Sequence, residues 1–165
     1  MVLAANIVSF AGCILMVAIG LIKGRKKILT VQCIQWALMG TSNLMLGGIT
    51  GFISDFLSIV RNIFGLKFTL TPAIKGVFIA IQIVLSALFN QNGLIGWLPA
   101  IAAVIFTLIV DKNEIIIKLA VILAQLMWMI FDISIQNYTS FIFDIFTIIS
   151  CCVGIWRAKK NGIAE

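Results

Sequence analysis

Two aspartates, each set within an apolar stretch, are the first candidates for chemistry in this sequence. Asp55 lies in TGFISDF and Asp144 lies in TSFIFDI. A carboxylate inside an apolar segment of membrane-spanning length normally faces a bundle interior or a water-filled cavity, where it binds a solute or a proton. The alternative is that each aspartate makes a structural hydrogen bond to a neighbouring helix. The binding role is the leading hypothesis for both residues.

Helical spacing extends each aspartate into a polar stripe. Residues three, four and seven positions apart share a face of a helix. Ser58 and Asn62 therefore lie on the face of Asp55, and Thr147 lies on the face of Asp144. If the two stripes face one central cavity, they predict a polar route for a cationic or hydroxyl-rich small solute, or for protons, since two close carboxylates can share one proton.

A second group places an aromatic ring beside a polar side chain. Gln125, Trp128 and Asp132 share one helical face, and Trp36 and Asn43 lie on an earlier helix. An indole ring beside a carboxylate or amide suits a flat or cationic ligand through stacking and cation–π attraction. We predict that Trp128, Asp132 and Asn43 contact the solute. Trp36 and Gln125 are explained at least as well by packing between helices.

Arg61 lies well inside an otherwise apolar segment, six residues after Asp55. Long basic side chains can reach along the helix to the membrane interface. The competing interpretation is a gate at the end of the polar route, which requires a partner on another helix. Both interpretations stay open from the sequence.

The same sequence excludes several classes of site. The chain has no histidine, and its four cysteines show no C-x-x-C spacing, so we expect no metal and no cofactor. No nucleophile has a nearby base and no glycine-rich phosphate loop occurs, so we do not expect an enzyme. The net charge of +6 comes without a basic patch interleaved with aromatic residues, which argues against nucleic acid.

Composition and segment length indicate that these residues are positioned by membrane helices. The chain of 165 residues is 62% hydrophobic and only 11% charged, whereas soluble domains carry roughly 25% charged residues. A spanning helix takes about 20 residues. Charged residues, glycine and asparagine divide the chain into seven predicted segments: 2–22, 28–46, 50–66, 72–89, 94–110, 115–135 and 139–156.

The positive charges predict the orientation of these segments. With seven spans, all 12 Lys and Arg residues fall on one side, and the turns on the opposite side carry none. Loops rich in Lys and Arg stay in the cytoplasm. The prediction is a multi-pass protein of the cytoplasmic membrane with its N-terminus outside and its C-terminus in the cytoplasm.

An internal repeat accounts for the two aspartates. At a constant offset of 89 residues, 50–66 and 139–155 share six identical positions, among them Asp55 with Asp144. The same offset pairs Asn43 with Asp132. The organisation predicted is a three-helix repeat in 1–67, a linker helix in 68–92 and a second three-helix repeat with a basic tail in 93–165. An odd linker keeps the two repeats parallel, as in SWEET transporters.

Two short motifs carry a resemblance to a known family. They are S-x-x-L-x-x-x-R, at Ser54, Leu57 and Arg61, and W-R-x-x-K-x-G-I, which begins at Trp156. In these motifs and in its layout the chain resembles the YgjV family of bacterial inner-membrane proteins, within the wider MtN3/SWEET/PnuC-like superfamily. The resemblance implies a bacterial inner-membrane location.

The function predicted is a small-solute transporter or facilitator in which the two repeats rock around Asp55 and Asp144. A membrane sensor, or an assembly protein that does not transport, is the alternative. The expected partners are the lipid bilayer and a small solute, with protons as a further candidate. The layout also accommodates a homo-oligomer.

Overall fold

The computed structural model describes residues 2–160, which form seven α-helices and one short 3-10 turn, with no strand. The helices are α1 (Val2–Leu21), α2 (Arg25–Met45), α3 (Ile49–Lys67), α4 (Pro72–Phe89), α5 (Leu98–Ile109), α6 (Glu114–Ser134) and α7 (Tyr138–Lys160). The 3-10 turn Ile95–Trp97 leads directly into α5. The prediction of an all-helical chain is confirmed. The last two residues of the tail motif, Gly162 and Ile163, lie outside the described residues.

Five of these helices, α1, α3, α4, α6 and α7, are long and apolar enough to cross a membrane. Helices α2 and α5 do not meet this criterion, each for its own reason. Helix α2 begins with Arg25, Lys26 and Lys27 and buries several polar side chains, which lowers its hydropathy. Helix α5 has only 12 residues and reaches further only through the 3-10 turn before it.

The helices turn their polar residues inward and their apolar residues outward. Every buried residue of α3 is either polar or glycine: Thr50, Gly51, Ser54, Asp55, Ser58, Arg61, Asn62 and Gly65. Phe56, Val60 and Ile63 of the same helix are exposed. A soluble helix buries its apolar stripe instead. This reversed pattern is the one expected for a bundle surrounded by lipid, because lipid solvates apolar side chains and the interior must pair the polar ones.

Six helices form a ring and the seventh lies outside it. Around the ring, α1 packs on α2, α2 on α3, α3 on α5, α5 on α6, α6 on α7, and α7 on α1. Helix α4 packs against α3 and α5 and buries only Gln82 and Ser86. Gln82 donates a hydrogen bond to Ser54 of α3 (2.9 Å). Helices α2 and α6 therefore face each other across the centre of the ring.

The α2–α3 and α6–α7 turns have the same conformation. Gly47 (φ +80°) and Gln136 (φ +62°) both adopt the left-handed backbone, and they lie 89 residues apart. The amide of Gly48 donates to the carbonyl of Asn43 at 2.8 Å, and the amide of Asn137 donates to the carbonyl of Asp132 at the same distance. Each turn therefore ends its helix with the same hydrogen bond and starts the next helix from an equivalent position.

We call the end of the bundle that carries turns 22–24, 68–71 and 110–113 the basic end, and the opposite end the uncharged end. A cluster of buried apolar residues fills the half of the bundle at the basic end, including Ile19, Leu29 and Phe106. Hydrogen bonds join the α1–α2 turn to the α5–α6 turn at this end. Arg25 donates to the carbonyl of Val110 (2.7 Å), and the amide of Gly24 donates to the carboxylate of Glu114. We call these contacts the basic-end seal.

A salt bridge at the basic end ties α4 to the turn that follows α5. Lys75 Nζ lies 2.6 Å from Asp111 Oδ1 and also donates to the carbonyl of Leu108 (2.9 Å). Partial burial acts to raise the pKa of Asp111, but the hydrogen bond and charge of Lys75 outweigh it and hold that pKa below its usual value. The side chain of Asp111 remains 40% exposed, so the pair contributes little to stability.

Helices α1 and α7 approach each other most closely near the basic end. A Cβ atom added to Gly154 would lie 2.0 Å from the carbonyl oxygen of Gly20. At the uncharged end, the same pair of helices is joined by polar contacts. Thr139 Oγ1 donates to Asn6 Oδ1 (2.8 Å), and Ser9 Oγ donates to Asn137 Oδ1 (3.1 Å). The first and last helices of the chain are therefore joined along their whole length.

Candidate functional site

A central cavity lies between α2, α3 and α6, with α1, α5 and α7 completing its wall. It has two adjoining lobes. The larger lobe, with a cavity volume of about 40 Å³, extends toward the basic end, and the smaller lobe, of about 20 Å³, extends toward the uncharged end. Both lobes are lined by Gln35, Trp36, Asp55, Gln125 and Trp128. The bundle thus encloses a polar space within an apolar exterior.

Asp55 projects from α3 into both lobes and is only 3% exposed. Asn43 at the end of α2 donates a hydrogen bond from Nδ2 to Asp55 Oδ2 (2.9 Å). The backbones of α2 and α3 come close here, because a Cβ atom at Gly40 would lie 3.2 Å from that of Asp55. The short approach across Gly40 lets the amide of Asn43 reach the carboxylate.

Asp144 lines the smaller lobe from α7 and is only 1% exposed. Gln125 on α6 donates from Nε2 to Asp144 Oδ1 (2.7 Å). The second oxygen, Oδ2, is buried and has no hydrogen-bond partner among residues 2–160. The carboxylate is thus held by one amide and keeps one oxygen free.

Asp132 occupies, on α6, the position that Asn43 occupies on α2, and it lines the smaller lobe. Where Asn43 donates to Asp55, a carboxylate at Asp132 cannot donate to Asp144. Asp132 is 1% exposed, and its buried Oδ1 has no partner within the described part of the chain. The second half of the bundle therefore presents two carboxylates where the first half presents a paired amide and carboxylate.

Two tryptophans add aromatic surface to the cavity. Trp36 meets Phe106 edge to face, with ring centroids 5.9 Å apart, and Trp128 meets Phe131 in the same way at 5.6 Å. These contacts fix the indole rings against the wall. Each ring is half-buried and lines both lobes.

Arg61 lies below the cavity wall toward the basic end and is only 1% exposed. Its guanidinium carbon lies 4.8 Å from the ring centroid of Phe106 and 5.3 Å from that of Trp36. It donates hydrogen bonds to Asn62 Oδ1 (3.2 and 3.3 Å) and Thr107 Oγ1 (3.0 Å). No acidic residue pairs with it within residues 2–160. Arg61 therefore stays in the bundle and does not reach the interface.

Six of the nine predicted site residues line the central cavity: Asn43, Asp55, Ser58, Trp128, Asp132 and Asp144. Three do not. Asn62 is hydrogen-bonded away from the cavity: its oxygen accepts from Arg61, and its amide donates to Gln32 at 3.0 Å. Thr147 bonds the carbonyl of Phe143 in its own helix (2.9 Å). Arg61 stands behind the wall and does not face the cavity.

Sequence reasoning missed two glutamines of α2, Gln32 and Gln35, which line the larger lobe. Their spacing of three residues puts them on one face of a helix, and that pattern could have signalled a second polar stripe. Trp36 and Gln125, for which packing was an equally good explanation, also line the cavity. Within the described residues, no group of three or more His, Cys, Asp or Glu side chains is arranged to hold a metal ion.

Comparison with known proteins identifies a family for this chain. A family model described as a bacterial inner membrane protein, Imp-YgjV, matches residues 3–162. No curated protein matches the chain, and no solved structure does. The matched range covers almost the whole sequence, including every helix of the bundle.

Proposed function

The chain belongs to the Imp-YgjV family of bacterial inner membrane proteins and is a multi-pass protein of that membrane, and from this premise we propose that it carries a small polar solute through its central cavity. The observation that carries the proposal is the cavity itself. Three buried aspartates line it, inside a bundle whose outer surface is apolar. Buried intramembrane carboxylates are costly and mark solute or ion routes.

The relation between the two halves supports a transporter built from two parallel repeats, with α4 as the linker. The offset that aligns the sequences also relates the two left-handed turn residues, Gly47 and Gln136. It also relates the packing of α1 on α7 to that of α5 on α3. Parallel repeats with the site at their interface are a recurring design of secondary transporters, SWEET proteins among them.

Alternating access then requires the two repeats to move against each other around the cavity. The basic-end seal joins the first repeat, through Gly24 and Arg25, to the second, through Val110 and Glu114. Opening the larger lobe toward the basic end would break these contacts and separate the buried apolar residues that fill this half of the bundle. At Gly20 and Gly154 the backbones of α1 and α7 are in close contact. This contact would stay closed while the two repeats move, and so would act as the pivot.

The orientation proposed places the basic end in the cytoplasm, because basic turns are retained there. Single cysteines at Lys112 and at Gln91, in a background without the four native cysteines, test this. A membrane-impermeant maleimide added to intact spheroplasts should label Gln91→Cys and not Lys112→Cys, and lysis should expose both. Labelling of Lys112→Cys in intact spheroplasts would reverse the assignment.

Uptake into proteoliposomes tests the transport proposal. We expect one class in a panel of labelled amines, nucleosides and sugars to enter vesicles that contain the protein faster than it enters empty vesicles. The double variant Asp55→Asn with Asp144→Asn should reduce the initial rate by about tenfold or more, since each aspartate supplies a charged contact.

Asp111→Asn is the matched control, because it removes the same charge at the basic end, away from the cavity. It should leave uptake within about twofold of the unmodified protein. If the aspartate double variant is well folded and transports as fast as Asp111→Asn, the cavity is not the route. If no solute of the panel enters, the non-transporting role of a sensor or assembly protein is favoured.

A further inference from the structure

The smaller lobe of the central cavity holds three buried oxygen atoms without a partner among residues 2–160. They are Oδ1 of Asn43, Oδ1 of Asp132 and Oδ2 of Asp144. All three residues are at most 1% exposed. A buried acceptor without a donor destabilises the fold, and more so when it is charged. Three such atoms around one cavity indicate a site that is completed by a bound group.

Two amides of this lobe already hold a carboxylate. Asn43 already uses its amide to hold Asp55, and Gln125 uses its amide on Asp144. A carboxylate at Asp132 is an acceptor when ionised. The lining of both lobes contains three aspartates and no lysine or arginine. A group that brings both hydrogen-bond donors and positive charge is therefore complementary to this lining.

We propose that the smaller lobe binds a primary ammonium group, so that the solute carried by this protein is a small primary amine. An ammonium group has three N–H donors, one for each of the three unpartnered oxygens, and a positive charge opposite in sign to that of a carboxylate. Trp128 lines the same lobe and adds an aromatic face for the cation. This assignment rests on the proposed function, because it names the substrate class of the same cavity.

Other cations fit these atoms less well. A quaternary ammonium has no N–H and would leave all three oxygens without donors. A single proton would satisfy two carboxylate oxygens at most and leave Asn43 Oδ1 unpaired. A divalent ion requires six or more oxygen ligands or several retained waters, and the described residues hold no acidic cluster arranged for a metal. A primary ammonium offers one donor to each of the three unpartnered oxygens.

The larger lobe indicates what the rest of the solute is. Next to Asp55 and Trp128 it is lined by Pro99, Ala102, Ala103 and Val121. These small apolar residues leave room for a short alkyl chain, while Ser54 and Ser58 offer hydroxyl groups at one side. A compact aliphatic amine, with its head in the smaller lobe and its chain in the larger, fills both.

Binding of n-butylammonium to the full-length protein in detergent tests the inference, in phosphate buffer without other amines. Calorimetric titration should show binding to one site, and the melting temperature should rise with ligand concentration because the ligand binds the folded state. Butyltrimethylammonium, which keeps the charge and the chain and lacks N–H donors, should bind at least about tenfold more weakly, the factor that charged hydrogen bonds supply. Equal binding of the two cations would overturn the assignment.

Variants locate the site. Asp132→Asn and Asp144→Asn should each weaken butylammonium binding by about tenfold or more, and Asp111→Asn should leave it unchanged. Unchanged binding in both cavity variants would also overturn the proposal. If a variant does not fold, the comparison of the two cations on the unmodified protein still tests whether the site binds a primary ammonium. Replacing potassium with sodium chloride at constant ionic strength should not affect the titration, and strong competition by sodium would assign the oxygens to an alkali ion instead.

Failure of this inference differs from failure of the proposed function. If butylammonium binds and is not taken up by proteoliposomes, the ammonium site stands and transport falls. If another solute is taken up and butylammonium neither binds nor competes with it, transport stands and the substrate class is wrong.

Discussion

Gly154→Ala is expected to lower the free energy of unfolding by about 3 kcal/mol, the upper end of what overpacking usually costs. The added methyl group would lie 2.0 Å from the carbonyl oxygen of Gly20. That neighbour is backbone and cannot turn aside, so α1 and α7 must separate along their contact. Small residues at such crossings are what allow helices in lipid to approach closely.

Gly76→Ala is the matched control for this substitution. It lies in α4, and a Cβ atom there meets nothing within 4 Å. Because alanine favours a helix more than glycine does, this variant should be slightly more stable, by about 0.5–1 kcal/mol. Thermal and SDS-induced unfolding in detergent measure both. Equal stability of Gly154→Ala and Gly76→Ala would contradict the close contact between the first and last helices.

Arg61→Ala should destabilise the bundle by about 3 kcal/mol, although it removes a buried charge. The guanidinium packs against the rings of Trp36 and Phe106 and donates to Asn62 and Thr107. Its loss leaves a cavity and an unpaired amide oxygen on Asn62. The desolvation cost of the charge offsets part of this stabilisation, and the cation–π contacts and hydrogen bonds outweigh it.

Arg61→Lys separates the charge of Arg61 from its shape. Lysine keeps the positive charge and loses the planar fork that packs against two rings while it bonds to Asn62. We expect it to recover less than half of the loss caused by Arg61→Ala in the same unfolding measurements. If Arg61→Lys were as stable as the unmodified protein, charge alone would explain the residue and the packing argument would be wrong.

The sequence was sufficient to locate the helices, because each must be long enough for its surroundings and polar residues mark where it stops. The predicted segments 72–89 and 115–135 differ from helices α4 and α6 by at most one residue at either end. The largest differences arise at three segments. Helix α5 begins four residues later than the predicted segment 94–110, because the 3-10 turn Ile95–Trp97 precedes it. Helices α2 and α7 extend beyond the predicted segments 28–46 and 139–156, through charged residues at the basic end. Charge was read there as the end of a helix, but Lys and Arg are good helix formers.

The sequence predicted which helix faces line the candidate site, but not how far along the helices the cavity extends. Asp55, Ser58 and Asn62 do share the buried face of α3. Asp55 and Ser58 line the cavity, whereas Asn62 lies past the point where Arg61 and Phe106 close it. Helical periodicity gives the face that a residue occupies. The level at which a cavity ends depends on side chains from other helices, which one helix's pattern does not contain.

The sequence also could not show which side chains are hydrogen-bonded to each aspartate. The repeat placed Asp55 and Asp144 at equivalent positions, and both line one lobe. The structure adds that Asp55 is held by Asn43, while Asp144 shares its lobe with the unpaired Asp132. That difference follows from a single amide-to-carboxylate change between the halves, and only the contact geometry shows what it does to the neighbouring oxygen atoms.

The contact between α1 and α7 has a consequence for how the protein is made. A ribosome delivers α1 to the membrane first and α7 last. Yet Asn6 of α1 accepts a hydrogen bond from Thr139 of α7, and Ser9 donates one to Asn137, which directly precedes α7. Until synthesis is almost complete, Asn6 lacks its partner on Thr139, and Ser9 has only its partner on α2, Ser42. The contacts of α1 with α7, which close the ring of helices, can therefore form only when the final helix arrives.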